Sequence, residues 1–195
     1  MFQFSRFAIN RKLNPSTHRI GEILMPQLDF RVGEKIVYPT HGVGIVEQIH
    51  KWPSSGTGQD FYLLRIYSSS LRVMVPFSSA KSVGLRRIVK RREVQKVLQF
   101  LSAGDCSPIG DWKYRFKDNT EKMRSGSLIQ VAEVLKCLLT VCRNHELSFR
   151  ERKMLERSRY LIASELAVVN KVDKAMSETI LEEALATAGL KLLPT

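Results

Sequence analysis

The rhythm of apolar and polar residues changes twice along this chain. From Phe30 onward, short runs rich in branched and aromatic residues occur at 35–38 (KIVY), 43–49 (VGIVEQI), 61–67 (FYLLRIY) and 71–75 (LRVMV). Runs of this length and composition, separated by turn formers, predict strands. Pro39, Gly42 and Gly44 punctuate the first connection, Ser54 to Gly58 make a longer loop, and Ser68 to Ser70 a short one. Four or five strands spaced about 8–12 residues apart predict a small, strongly bent antiparallel sheet or SH3-like barrel. The pattern ends between Pro76 and Gly84.

Beyond it the period becomes helical. Val94, Val97, Leu98 and Leu101 mark one helix, stopped by Gly104, and a loop with Pro108 and Gly110 follows. Asp111 is a candidate N-cap for a helix opening at Trp112. Leu128, Val131, Ala132, Leu135, Leu138, Leu139 and Cys142 form an amphipathic stripe. Ser148 and Glu151 make a capping box ahead of a helix whose apolar face includes Leu155, Ile162, Leu166 and Val169. A last helix carries Met176, Ile180, Leu181, Ala184 and Leu185 and ends at Gly189. The predicted class is α+β, with a Tudor/SH3-like β module followed by a compact all-α domain of about five helices.

Residues 1–28 share neither pattern. They hold Arg6, Arg11 and Arg19, no acid before Glu22, and no apolar run after the charges, which excludes a secretory signal. A disordered extension, a misassigned one with translation starting at Met25, and an organellar transit peptide are the readings that stand. The expected organisation is therefore 1–28 extension, 29–84 β module, 85–188 helical domain and 189–195 tail.

Composition narrows the function. Of 195 residues 44% are hydrophobic, enough for packed cores, and no run reaches the roughly 18 apolar residues of a membrane span. An integral membrane protein is excluded. Cys106, Cys137 and Cys142 are odd in number and lack metal-ligand spacing, which argues for a reducing, cytoplasmic setting. The net charge is +12, and residues 87–161 hold 17 basic against 9 acidic side chains. Residues 162–195 are acidic by two charges. A polyanion, most often nucleic acid, would meet the middle of the chain first.

No catalytic constellation is visible. His18, His41, His50 and His145 lie far apart, without carboxylate or cysteine at ligand spacing, so neither a metal nor another cofactor is expected. Cys142 and His145 could meet at a helix end, but read better as a core thiol and a surface imidazole. His41-Gly42-Val43-Gly44 lacks the lysine of a phosphate loop and reads as a turn between strands.

The segment Trp112-Lys113-Tyr114-Arg115-Phe116-Lys117 holds three aromatics and three cations in six residues. On a helix Lys113 and Lys117 share one face, and Trp112, Arg115 and Phe116 another. Two readings stand: a nucleic-acid contact, with cations on phosphates and a ring wedged into a base step, or core rings with solvated charges. Arg150, Arg152, Lys153, Arg157 and Arg159 either extend that face or form a solvated surface. In the β module, Trp52 beside Pro53 covers the barrel or anchors a partner. The strand ending at Pro76 has the mark of an edge able to accept a strand from another chain.

Taken in order, these stretches resemble the bacterial CarD/CdnL-like transcription regulators, whose N-terminal module also occurs in transcription-repair coupling factors. The carrying segments are FRVGEKIVYPTHGVGIVEQI (30–49), RVMVP (72–76), WKYRFKDN (112–119), NTEKMRSGS (119–127), LSFRERKMLERSRYLIASELA (147–167) and ETILEEAL (178–185). Nothing resembling a helicase follows them. The resemblance implies a non-enzymatic regulator with two contacts. Its Tudor-like module would add an edge strand to the RNA polymerase β subunit, with Trp52, Arg72, Met74 and Pro76 at the contact. Some relatives carry arginine where Trp52 and Met74 stand.

Its helical domain would lie on promoter DNA at the upstream edge of the −10 region, beside the sigma factor holoenzyme. Trp112 matches the family's minor-groove wedge, and Arg115 and Lys117 its phosphate contacts. Tyr114 stands where some relatives place a basic residue. Lys113, Tyr114, Arg152, Lys153 and Arg157 complete the expected DNA-binding set. The implied function is stabilisation of the open complex by a cytoplasmic, nucleoid-associated monomer. The alternative is a general basic RNA-binding protein not tethered to polymerase, against which the β module's modest charge counts.

Overall fold

The computed structural model describes residues 29–51, 59–103, 105–107 and 110–192. The expectations placed on residues 1–28 with Met25, on Trp52, and on Gly104 and Pro108 lie outside the described residues.

The β-rich runs fold into strands β1 (Lys35–Tyr38), β2 (Gly42–His50), β3 (Phe61–Ile66) and β4 (Arg72–Pro76). A fifth, β5 (Arg86–Arg87), completes an antiparallel sheet of order β4-β3-β2-β1-β5. Two arginines carry no strand pattern of their own. They become β5 by pairing Ile36 with Arg87 and Val37 with Arg86, just past the boundary expected at 84/85. Inside the sheet, Ile36, Val46, Leu64 and Val75 pack with Phe30 and Tyr62, whose rings meet edge-on at 5.4 Å. Tyr62 also stacks at 4.1 Å on Phe77, the first residue of the short helix α1 (Phe77–Ala80).

A bulge between Val46 and Gln48 bends β2, and the bulged Glu47 accepts from Arg72 Nε at 2.9 Å. Strand β4 lies at the sheet edge, pairing with β3 on one side, so the edge expected from Pro76 is present.

Five longer helices follow: α2 (Arg91–Ala103), α3 (Trp112–Arg124), α4 (Leu128–Cys142), α5 (Phe149–Asn170) and α6 (Lys174–Thr187). The amphipathic stripe of α4 is buried against α2, α3 and α5. Lys136 lies among these apolar residues, its Nζ donating to the carbonyls of Phe100 and Leu101 at 2.9 and 2.8 Å. A cation there satisfies carbonyls at the end of α2 that the helix itself leaves open. Burial lowers its pKa below the ordinary lysine value, against weak opposition from Cys106 and Asp105. Among the described residues no helix is long and apolar enough to cross a membrane.

The sheet packs on α5 through the β1–β2 turn. Gly42 has φ +89°, and a Cβ there would stand 2.9 Å from the Tyr160 ring, so only glycine meets both demands. Arg157 of α5 donates to the Thr40 carbonyl of that turn. Next to it, Arg86 forks onto both carboxylate oxygens of Glu165 at 2.6 and 2.8 Å. Glu165 is 1% exposed and also accepts from the Val89 amide at 2.9 Å. A carboxylate at this depth requires such a full set of partners. The clasp joins β5 to α5.

Candidate nucleic-acid interface

The first turn of α3 is set by Asp111. Its carboxylate accepts from the amides of Lys113 and Tyr114 at 2.7 and 3.3 Å, the N-cap that the sequence predicts. The first turn of α5 is set by the predicted capping box. Glu151 accepts from the Ser148 amide at 3.1 Å, and the Glu151 amide donates to Ser148 Oγ at 3.3 Å.

The two helix ends are joined by Arg115, whose Nε and Nη2 donate to Glu151 Oε1 at 3.0 and 2.8 Å. Both side chains are nearly excluded from solvent, at 10% and 5% exposure. Burial by itself would raise the Glu151 carboxyl. The hydrogen bonds from Arg115 and Ser148 and the guanidinium charge outweigh it and hold the group below the usual carboxylate range.

On α3 the buried positions are Arg115, Asn119 and Met123, spaced by four. Trp112 stands seven residues before Asn119 and so shares that face, yet it is 55% exposed. This buried face continues past the edge of the core and ends in an indole that the described chain does not cover. Phe116 is half-buried, so the expected common face of Trp112, Arg115 and Phe116 grades from exposed to buried along one turn. Lys113, Tyr114 and Lys117 are exposed, and Lys113 Nζ lies 5.8 Å from the Trp112 ring.

The expected DNA-binding residues are thus not all alike. Trp112, Lys113, Tyr114 and Lys117 project from the start of α3, and Arg152 and Lys153 from the start of α5. Arg115 instead lies beneath them, in the pair with Glu151. Arg157 is turned to the β1–β2 turn, and Arg159 lies 2.8 Å from Glu178 of α6 with 11% exposure. Arg150 remains exposed beside Arg152.

Of the residues expected at a polymerase contact, Met74 on β4 is 60% exposed, Arg72 is held by Glu47, and Pro76 ends the strand. Trp52 lies outside the described residues.

Two features escaped the sequence reading. Phe149, at the first position of α5, is 76% exposed, although its position off the apolar stripe was a legible signal. The thiol contact that forms is Cys106 with Cys137, not Cys142 with His145. The Cys137 hydrogen bond, against burial and aided by Lys122 and Lys136, brings Cys106 down to about 7. The same bond and burial push Cys137 far upward. Among the described residues no three His, Cys, Asp or Glu side chains gather into a group that could hold a metal.

Residues 30–89 match the CarD-like/TRCF RID domain, and residues 96–182 match the CarD C-terminal domain. A Bacillus subtilis (strain 168) protein named "Putative transcription factor YdeB" is 31% identical over 140 residues, 72% of this chain and 92% of that protein. The chain belongs to the CarD-like family. The two matches divide at residues 90–95, between the sheet and the bulk of the helical part, and appear in the family's order. CarD-like proteins are transcription factors associated with RNA polymerase and are generally not enzymes. That membership agrees with the resemblance drawn from the sequence segments.

Proposed function

We propose that this CarD-like protein docks on the RNA polymerase β subunit through β4 and stabilises the promoter open complex through the first turns of α3 and α5. The observation that carries this reading is Trp112. It lies on the buried face of α3 by helical phase, yet it projects from the end of the core beside exposed Lys113 and Tyr114.

The energetics are consistent. A promoter being melted presents a fork where stacking is interrupted. The exposed indole can occupy that gap, while Lys113, Lys117, Arg152 and Lys153 neutralise nearby phosphates. Phosphate contacts read no sequence, so promoter choice stays with polymerase and its sigma factor. The Arg115–Glu151 pair joins the two helix starts that carry these side chains. At the other end, the side of β4 that no described strand pairs with offers backbone groups to a polymerase strand, with Met74 as the apolar contact and Arg72 and Pro76 beside it. The docked monomer works at the nucleoid, where tethering raises the local DNA concentration.

Stacking or wedging by one aromatic is worth about 1–3 kcal/mol, roughly a 5- to 150-fold shift in an open/closed equilibrium. Trp112→Ala should shorten open-complex lifetime by a factor in that range while polymerase pull-down is unchanged. An unaltered lifetime removes the wedge role.

A further inference from the structure

Phe149 has the largest fractional exposure, 76%, among the large apolar side chains described as exposed. It lies six residues before buried Leu155, roughly 120° around the helix, so the core cannot cover it. Nor does it serve the helix start, which Ser148 and Glu151 cap between them. Its surroundings are predominantly cationic. Arg150, Arg152 and Lys153 are exposed, with Lys153 Nζ 5.9 Å from the ring and 3.0 Å from Glu156, while the intervening acid, Glu151, is buried against Arg115, so Arg150 and Arg152 are the cations left for an anionic partner.

The arrangement repeats that of Trp112. Each ring occupies the first position of its helix and has a lysine over its face at nearly the same distance, 5.8 and 5.9 Å. Arg115 and Glu151, three and two residues further in, bind each other directly. Each ring therefore lies within about one helical turn, ~5.4 Å along its axis, of the same buried pair.

We infer that Phe149 is a second aromatic contact to the promoter DNA, resting on sugar or base faces near the step that Trp112 opens, with Arg150 and Arg152 on neighbouring phosphates. The charge complementarity of this rim selects a polyanion over an apolar protein surface. The inference rests on the DNA-contact reading of Trp112, and the test separates the two.

On a promoter bound by polymerase holoenzyme, Phe149→Ala should shorten open-complex lifetime by about five-fold or more, the low end for one stacked ring. Phe149→Trp, which keeps a ring, should retain the lifetime. Polymerase pull-down and the urea midpoint should be unchanged in both, and a photo-crosslinker at position 149 should label DNA. An unchanged lifetime for Phe149→Ala, loss of polymerase binding, or a crosslink to protein alone overturns the inference. Trp112→Ala is measured in parallel. A short lifetime for Trp112→Ala but not Phe149→Ala discards the Phe149 contact alone, and unchanged lifetimes in both discard the Trp112 reading with it.

Discussion

Replacing Arg115 with alanine separates two roles for one cation. A phosphate contact would affect DNA binding and leave the fold alone. A buried organiser would do the reverse. The geometry favours the second, since Arg115 and Glu151 meet at 2.8 and 3.0 Å with 10% and 5% exposure. Removing one partner of a buried pair typically costs about 3–5 kcal/mol, because the other charge is left uncompensated. Here Glu151 keeps two hydrogen bonds from Ser148 to its second oxygen, Oε2, at 2.8 and 3.1 Å.

The loss should therefore fall near the lower bound, about 3 kcal/mol. With a urea slope of roughly 2 kcal/mol per molar, the midpoint should drop by about 1.5 M. Acid adds a second reading. Glu151 is depressed in the folded state, so its contribution is full above the unfolded carboxylate pKa and is lost as pH falls through the folded value. Arg115→Ala should flatten that acid limb. Duplex binding followed by anisotropy over a salt series completes the assay. Loss of a phosphate contact lowers the log–log slope by about 0.9. An unchanged urea midpoint together with such a slope change would refute the organiser role.

Other substitutions probe different parts of the molecule. Glu165→Ala strips Arg86 and the Val89 amide of their shared acceptor and should cost about 3–5 kcal/mol by urea unfolding. Glu165→Gln, which keeps the shape and an acceptor oxygen but not the charge, should cost less, and equal losses would show that the charge alone, not the hydrogen-bond geometry, carries the clasp. Cys106, held at about 7 mainly by the Cys137 thiol, becomes the reactive thiolate as pH rises through that value. Alkylation by iodoacetamide should reach half its maximal rate near pH 7, and Cys137→Ala should move that point upward. A half-point above pH 8 in the parent protein would contradict the thiol pairing.

What local chemistry determines could be read along the chain. Runs of branched and aromatic residues between turn formers located β1 to β4, and helical signals located α2 to α6, because each depends on side chains a few residues apart. Asp111 and the Ser148–Glu151 box act within one turn, so their composition was enough to place two helix starts. Trp112 was also legible as a candidate, but its exposure was not. Helical phase puts it on the buried face, and the end of the core beneath the first turn of α3 decides that it projects.

The remaining features required the folded chain. Strand β5 exists because β1 lies beside it, and Arg86 meets Glu165 across 79 positions in sequence. Arg115 meets Glu151 across 36, turning an apparent phosphate ligand into the joint between two helix ends. Charge composition counts such residues equally with Lys113 or Arg152, which face outward. Burial and pairing divide them, because a cation enclosed with its carboxylate is already neutralised and an exposed one is available to a phosphate. Pairing across such separations leaves no periodic trace in the sequence.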